Sequence, residues 1–222
     1  MKRRFVLCMG AILLTGTLAA QTPVPEWQAG VDKVKSLVKD NPDQASEEAG
    51  ELLKGKNKKN VELVTSIARV YLDAGKLTEA EAYLEKARKA DHKAPEVSVL
   101  EGDIALARKD VGKACQLYEQ TIYFDPDCKE AYLKYAQAYK SASPAQAIEK
   151  LQQLKAIAPD YLEADKVLAE VYYANNHFGK AAEAYAKFID TPIATEDDIL
   201  KYAFALFLNH DFEKSLQVAQ RG

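Results

Sequence analysis

The sequence predicts an all-α fold, an array of antiparallel helix pairs stacked side by side. Three observations predict it. Small residues recur at Ala68, Gly102, Ala136, Ala169 and Ala203, at spacings of 34, 34, 33 and 34. A second small series runs in the same period through Ala80, Ala114, Ala147, Ala181 and Ser215. Around both, apolar residues fall at three- and four-residue steps, the period of an amphipathic helix. Composition agrees, since the 222 residues hold only 10 Gly and 8 Pro. Ala and the straight-chain residues that dominate lose little freedom on forming helix.

Each unit reads as two helices. In the first full unit Val64, Ile67, Ala68 and Tyr71 make one face, and Ala80, Leu84 and Ala87 make the facing stripe. Small residues at the closest points let the two helices approach. Larger side chains one turn on fill the space between units: Tyr71, Ala105, Tyr139, Tyr172 and Leu206, where only Ala105 is small. A fourth series runs Leu84, Tyr118, Leu151, Tyr185 and Ala219. One pair cannot bury its own apolar face, so the next must stack on it.

The turns follow the same period. Gly75 suits a left-handed helix terminus, and Asn175–Gly179 occupies the corresponding place later. The third unit is one residue short. There Ser143 is placed to cap the next helix and Pro144 to open it. Pro126 and Pro159 end second helices, because proline cannot continue a helix. The units are thus near 61–94, 95–128, 129–161, 162–195 and 196–222, the last incomplete. Residues 21–60 read as a degenerate N-terminal pair and a basic linker. Trp27, Val31, Val34, Leu37 and Val38 form one stripe, and Ala45, Ala49, Leu52 and Leu53 the other. This pair is expected to cap the array, and Lys54–Asn60 to be a solvated link.

The pattern resembles the tetratricopeptide repeat, a 34-residue helix pair with a W, L, G, Y, A, F, A, P signature. The residues that carry the likeness are Val64, Ile67, Ala68, Tyr71, Gly75, Ala80, Leu84 and Ala87, then Tyr132, Tyr135, Ala136, Tyr139, Ala147, Leu151 and Pro159. The second unit departs from it at Ala105 and Thr121, and the fourth has Pro192 one residue early. The resemblance covers residues 61–222. It implies a right-handed superhelical solenoid of about five repeats plus the degenerate pair, with first helices lining a concave groove for protein or peptide segments. The groove positions so implied are Thr65, Arg69, Leu72, Val99, Asp103, Leu106, Leu133, Gln137, Lys140, Lys166, Glu170, Tyr173, Leu200, Phe204 and Phe207. Some family members clamp a peptide carboxylate with a Lys/Asn/Lys/Arg set. The matching positions here are Thr65, Arg69, Leu100, Glu130 and Lys134. Only Lys134 matches, so that activity does not carry over.

The first twenty residues stand apart. Lys2, Arg3 and Arg4 precede an apolar run from Phe5 to Leu14 and a small-residue exit at Ala19-Ala20. This is the layout of a secretory signal peptide, and the run is too short for a membrane span. Cys8 lies inside the run, not after it, so no lipidation is expected. The mature chain would keep 27 basic against 33 acidic residues. Such an acidic balance gives no grip on a phosphate backbone, which excludes nucleic acid as a partner. Export points to the periplasm or cell envelope, with no membrane insertion after cleavage. Cys115 and Cys128 are expected as separate thiols, about 18 Å apart along a helix and turn.

Chemistry is not indicated. His92, His177 and His210 fall at turns in different repeats, with no second ligand at metal-site spacing. Phosphate-loop, dinucleotide and nucleophile-elbow motifs are not found. Glu47-Glu48 and Asp197-Asp198 read as helix-start charges. No enzyme activity, cofactor or metal is therefore expected. Three functions remain: an envelope scaffold binding proteins, a sensory or accessory module of a larger protein, and a glycan binder using groove aromatics. The scaffold rests on the repeat and the signal together.

The final unit is the most apolar. Ile199, Leu200, Tyr202, Phe204, Leu206, Phe207 and Leu208 share one short helix, and the following helix stops at Gln220-Arg221-Gly222. An array end needs a polar outer face. Further repeats, a partner or a second copy of the chain are thus expected to cover it. For the leader, N-terminal sequencing of protein from the envelope fraction should find a start near Gln21 with no lipid. A start at Met1 or a lipidated cysteine would refute the signal reading.

Overall fold

A computed structural model describes residues 24–220, so the predicted leader and Cys8 lie outside the described residues. Twelve α-helices follow one another as six antiparallel pairs among the described residues. They are α1 (Gln28–Leu37) with α2 (Pro42–Leu52), α3 (Val61–Asp73) with α4 (Leu77–Ala90), and α5 (Pro95–Ala107) with α6 (Val111–Phe124). Then come α7 (Lys129–Tyr139) with α8 (Pro144–Ile157), α9 (Leu162–Ala174) with α10 (Phe178–Tyr185), and α11 (Glu196–Leu208) with α12 (Phe212–Ala219). A short 3-10 turn, Gly55–Lys59, joins the first two pairs, so the basic linker is ordered as a turn.

First helices touch one another along the stack, α1 to α3, α3 to α5, α5 to α7 and α7 to α9, and each second helix packs on its own partner, with α4, α6, α8 and α10 also packing on the next first helix. This contact pattern puts the first helices on the inside of the curve. The core forms at the crossings. Ala68, Gly102, Ala136, Ala169, Ala80, Ala114, Ala147 and Ala181 are buried. In the last unit Ser215 replaces the second small apolar residue, and its hydroxyl donates to the Ala203 carbonyl at 2.8 Å. A polar residue is accepted there because the bond satisfies it. Gly102 has a stricter role. A methyl group at this position would stand 2.3 Å from Tyr118 Cε1, so glycine alone lets the ring lie across α5.

The helix ends follow from local chemistry. Asn41, Asn60, Asp110 and Asp211 accept from backbone amides at helix starts, and Thr195 with Asp198 forms a capping box. Asp198 is thus a helix-start charge, but Glu47 and Glu48 lie in the middle of α2, where Glu48 pairs with Lys33. The first helix of a pair ends on a left-handed residue at Gly75, Lys109, Asn176 and His210. One turn geometry is therefore kept while its residue changes. Asn176, not Gly179, makes the turn in the fourth unit. Gly179 lies within α10, where a Cβ would come within 2.9 Å of Asn209 Oδ1. The shortened third unit turns without a left-handed residue. Pro144 opens α8 as expected, but the Ser143 side chain makes no capping bond.

Two features depart from the regular period. Helix α10 stops at Tyr185, and the chain continues in tight turns that bury Phe188 completely. At the N-terminus Val31, Val34, Val38, Ala45 and Ala49 are buried, with Trp27, Leu37, Leu52 and Leu53 packed around them. Cys115 is buried, Cys128 is half-buried, and both thiols are free. Burial pushes both thiols up from their ordinary pKa.

Ala136→Arg should cost more than about 3 kcal/mol, because it drives a charged chain into a closed helix contact. Lys140→Ala should change stability by less than about 0.5 kcal/mol, since its ion pair with Glu170 is long and partly exposed. Thermal melting of the two variants checks the assignment of faces, and equal melting temperatures would refute it.

Candidate protein-binding groove

The inner surface is built by one face of α3, α5, α7, α9 and α11. Its middle carries a charged cluster. Asp103 of α5 is 7 % exposed. Lys134 Nζ of α7 lies 3.0 Å from Asp103 Oδ1, and Arg69 Nε of α3 lies 3.6 Å from Asp103 Oδ2. Arg69 Nη2 also meets Glu130 of α7 at 2.9 Å. From behind, the Tyr118 hydroxyl of α6 donates to Asp103 Oδ1 at 2.8 Å. This reach across the helix is what Gly102 permits. Burial, with Asp103 beside it, pushes the Tyr118 hydroxyl far above its ordinary pKa. It therefore stays a donor at every pH the fold meets. Arg69, Leu72, Asp73, Asp103 and Lys134 line an open depression of about 290 Å³.

Two positive and two negative groups thus balance at the groove centre. A carboxylate clamp needs cations free to take an anion. Here Arg69 and Lys134 are both engaged by acids on neighbouring helices. Glu130, which sits where the clamp would have a cation, supplies one of those acids.

Further along, the pairs continue from one first helix to the next. Lys140 of α7 meets Glu170 of α9 at 3.6 Å. Asn175 Nδ2 donates to the Lys140 carbonyl at 2.7 Å. Lys166 of α9 reaches Asp198 of α11 at 2.7 Å and the Ile193 carbonyl at 2.9 Å. Burial opposes ionisation of Asp198, but the bonds from Lys166 and Thr195 outweigh it and hold the carboxyl below its ordinary pKa. Lys166 is therefore a tie that docks the last pair. Nearby, Asp165, also buried, is held between Lys155 at 2.6 Å and Lys187 at 3.1 Å.

Beyond this the surface turns aromatic. Tyr173 packs on Phe178 at 5.8 Å between ring centres, and Phe207 packs on Phe212 at 5.4 Å in the same place one unit on. Phe204 stacks with Phe207 at 6.5 Å. Leu200, Phe204 and Phe207 are each at least half exposed. Gln137 is exposed, and Leu72, Leu106 and Leu133 are half-buried along the polar half.

The expected groove positions divide accordingly. Arg69, Asp103, Lys140, Glu170 and Lys166 are brought together as inter-helix ion pairs, and Tyr173, Phe204 and Phe207 as an aromatic stripe. Thr65 and Val99 instead lie inside the core, and the Thr65 hydroxyl donates back to the Val61 and Glu62 carbonyls of its own helix. Tyr118, Asp165 and Asp198 belong to the site's support and were not among the groove positions expected from the sequence. One signal was available: Arg69 and Asp103, opposite in charge, stand 34 residues apart at equivalent places in the repeat. Among the described residues no group of His, Cys, Asp and Glu could hold a metal, and no helix is long and apolar enough to cross a membrane.

Comparison with known proteins accords with this architecture. A tetratricopeptide-repeat family profile matches residues 65–128. No curated protein sequence matches the chain. Among solved structures, PilW, described as a widely conserved type IV pilus biogenesis factor, superposes with a TM-score of 0.66 at 16% identity, over 89% of this chain and 93% of that one. A thermophilic tetratricopeptide-repeat protein of Thermus thermophilus gives 0.64 at 19% identity over 81% and 98%. Pseudomonas aeruginosa pilF gives 0.61 at 15% over 87% and 90%. At these identities the likeness is one of fold, an all-α helical repeat solenoid. Residues 65–128 thus carry tetratricopeptide repeats, inside an all-α repeat solenoid whose same period runs on to the last helix.

Proposed function

We propose that this protein is a non-catalytic scaffold, exported to the periplasm or cell envelope, that holds a protein or peptide segment in its concave groove. A tetratricopeptide-repeat array is a protein-interaction scaffold, and one solved relative in fold, YrrB, is described as having an unusual peptide-binding site. The observation that carries the reading is the division of the groove. Its middle is a self-neutralised polar cluster, and its far half is an apolar stripe of half-buried Tyr173 and exposed Leu200, Phe204 and Phe207. Aromatic anchors in a concave surface supply most of the energy of peptide recognition. Balanced charges around Asp103 give register more than affinity. The partner segment is thus apolar at one end and polar, with mixed charge, along the rest. Export rests on the basic, apolar and small-residue succession of the first twenty residues.

Photo-crosslinkers at Gln137 and Phe204, compared with one at Glu183 on α10, test the groove in intact cells. A discrete adduct from the two groove positions, lost when Phe207→Asp is added, is the expected result. Adducts only from Glu183 would overturn it.

A second reading concerns the end of the stack, where Phe212 is 55% exposed and Leu216 62% exposed. A contiguous apolar surface of this kind marks an interaction face. Self-association through α11 and α12 would cover it. Residues 21–222 should then run in solution at twice the monomer mass, and Phe212→Glu with Leu216→Glu should return them to monomer. A wild-type monomer would remove this reading.

A further inference from the structure

On the outer face, the second helices of neighbouring pairs leave a channel floored by the first helix between them. Two floor positions, four residues apart, fill that channel in the regular units. The first is held by Ile67, Tyr135, Leu168 and Tyr202, and the second by Tyr71, Tyr139, Tyr172 and Leu206. In α5 the same two positions are Glu101 and Ala105. There the structure has an open cleft of about 640 Å³ between α4 and α6. Leu84, Ile104 and Ala105 make its apolar base, and Glu81, Arg88 and Arg108 stand around it.

The next unit shows how such a channel is completed. Tyr135 and Tyr139 pack edge to face, 5.1 Å between centres, and the Cys115 thiol of α6 stands near the Tyr139 hydroxyl and raises its pKa. By the 34-residue period, Glu81 of α4 stands where Cys115 stands in α6. The cleft therefore has the floor, walls and polar end of a tyrosine site, without the tyrosine.

We propose that this cleft binds a tyrosyl side chain presented by a partner segment, on the opposite side of α5 from the groove. Its size lies within the range of small-ligand pockets. The charges select against a free anion, because Arg88 is paired with Glu101 at 2.7 Å and with Glu85, and Arg108 is paired with Glu81. Paired guanidinium planes still offer their faces to an aromatic ring. The Glu81 carboxylate accepts the phenolic O–H, as a neutral donor beside an acceptor requires. An apolar base alone would take phenylalanine equally well, so the hydroxyl contact gives the preference.

The test is a chemical-shift titration of the 15N-labelled protein with N-acetyl-L-tyrosinamide, and with N-acetyl-L-phenylalaninamide and N-acetyl-L-lysinamide as comparators. Saturable shifts at Glu81, Ala105 and Arg108 are expected, with millimolar affinity for the tyrosine probe. The phenylalanine probe should bind about threefold to tenfold more weakly, the net worth of one ordinary hydrogen bond. Ala105→Tyr and Ala105→Leu fill the cleft from within and should abolish these shifts while melting no lower than wild type. Glu81→Gln keeps the shape and should shrink the tyrosine preference to near unity, a reading that stands even if the filling variants fold poorly. Absence of saturable shifts, equal response to the lysine probe, shifts confined to the groove, or an unchanged preference in Glu81→Gln would each overturn the site. None of these depends on the groove function, because the groove lies on the other side of the helix.

Discussion

The whole molecule depends on how closely the two helices of each pair can approach. At Ala68 with Ala80, Ala136 with Ala147 and Ala169 with Ala181, nothing larger than a methyl group stands at the crossing, and all six residues are buried. Close approach leaves each pair thin, with apolar side chains pointing to both sides. Those side chains find cover only in the next pair, which is why the units stack instead of folding singly. The curve follows from the same contact, since first helices meet one another along the inside.

That curve gives the groove its character. Side chains from successive first helices face one another across a short gap, and opposite charges placed on them pair: Arg69 with Asp103, Lys140 with Glu170, Lys166 with Asp198. These pairs link one unit to the next. The groove is therefore both a binding surface and part of the connection between repeats. Tyr118 shows the dependence most directly. Its hydroxyl can hold Asp103 only because residue 102 is glycine, so a core packing choice sets the position of a groove carboxylate.

Irregularity is concentrated where the period is broken. Replacement of two large apolar side chains by Glu101 and Ala105 in α5 leaves the outer cleft open. Early termination of α10 at Tyr185 is offset by burial of Phe188 and by the Lys166–Asp198 tie, which fixes α11 to α9. Among the described residues, the last pair packs on one neighbouring pair. Ala219 is accordingly exposed, whereas Leu84, Tyr118, Leu151 and Tyr185 at the same place in earlier units are buried.

The sequence by itself determined the helix pairs, their period and their inward faces. A 34-residue repeat of small and large residues fixes which side chains meet, because each meeting recurs in every unit and a single error would break the series. It also determined Pro144 and the left-handed Gly75. Only the tertiary structure decided which residues at the groove positions are available. Thr65 and Val99 have the spacing of groove residues but are buried, because burial there depends on how closely neighbouring units stack and not on any one repeat. The same holds for the left-handed turn, which passes from Gly75 to Lys109, Asn176 and His210 because the fixed crossing of the pair imposes the backbone whatever the residue. Charge pairing between units was written in the chain as isolated acids and bases. It became a network when stacking brought residues 30 to 34 positions apart into contact, and of these pairs only Arg69 and Asp103, one full repeat apart, were legible in the period.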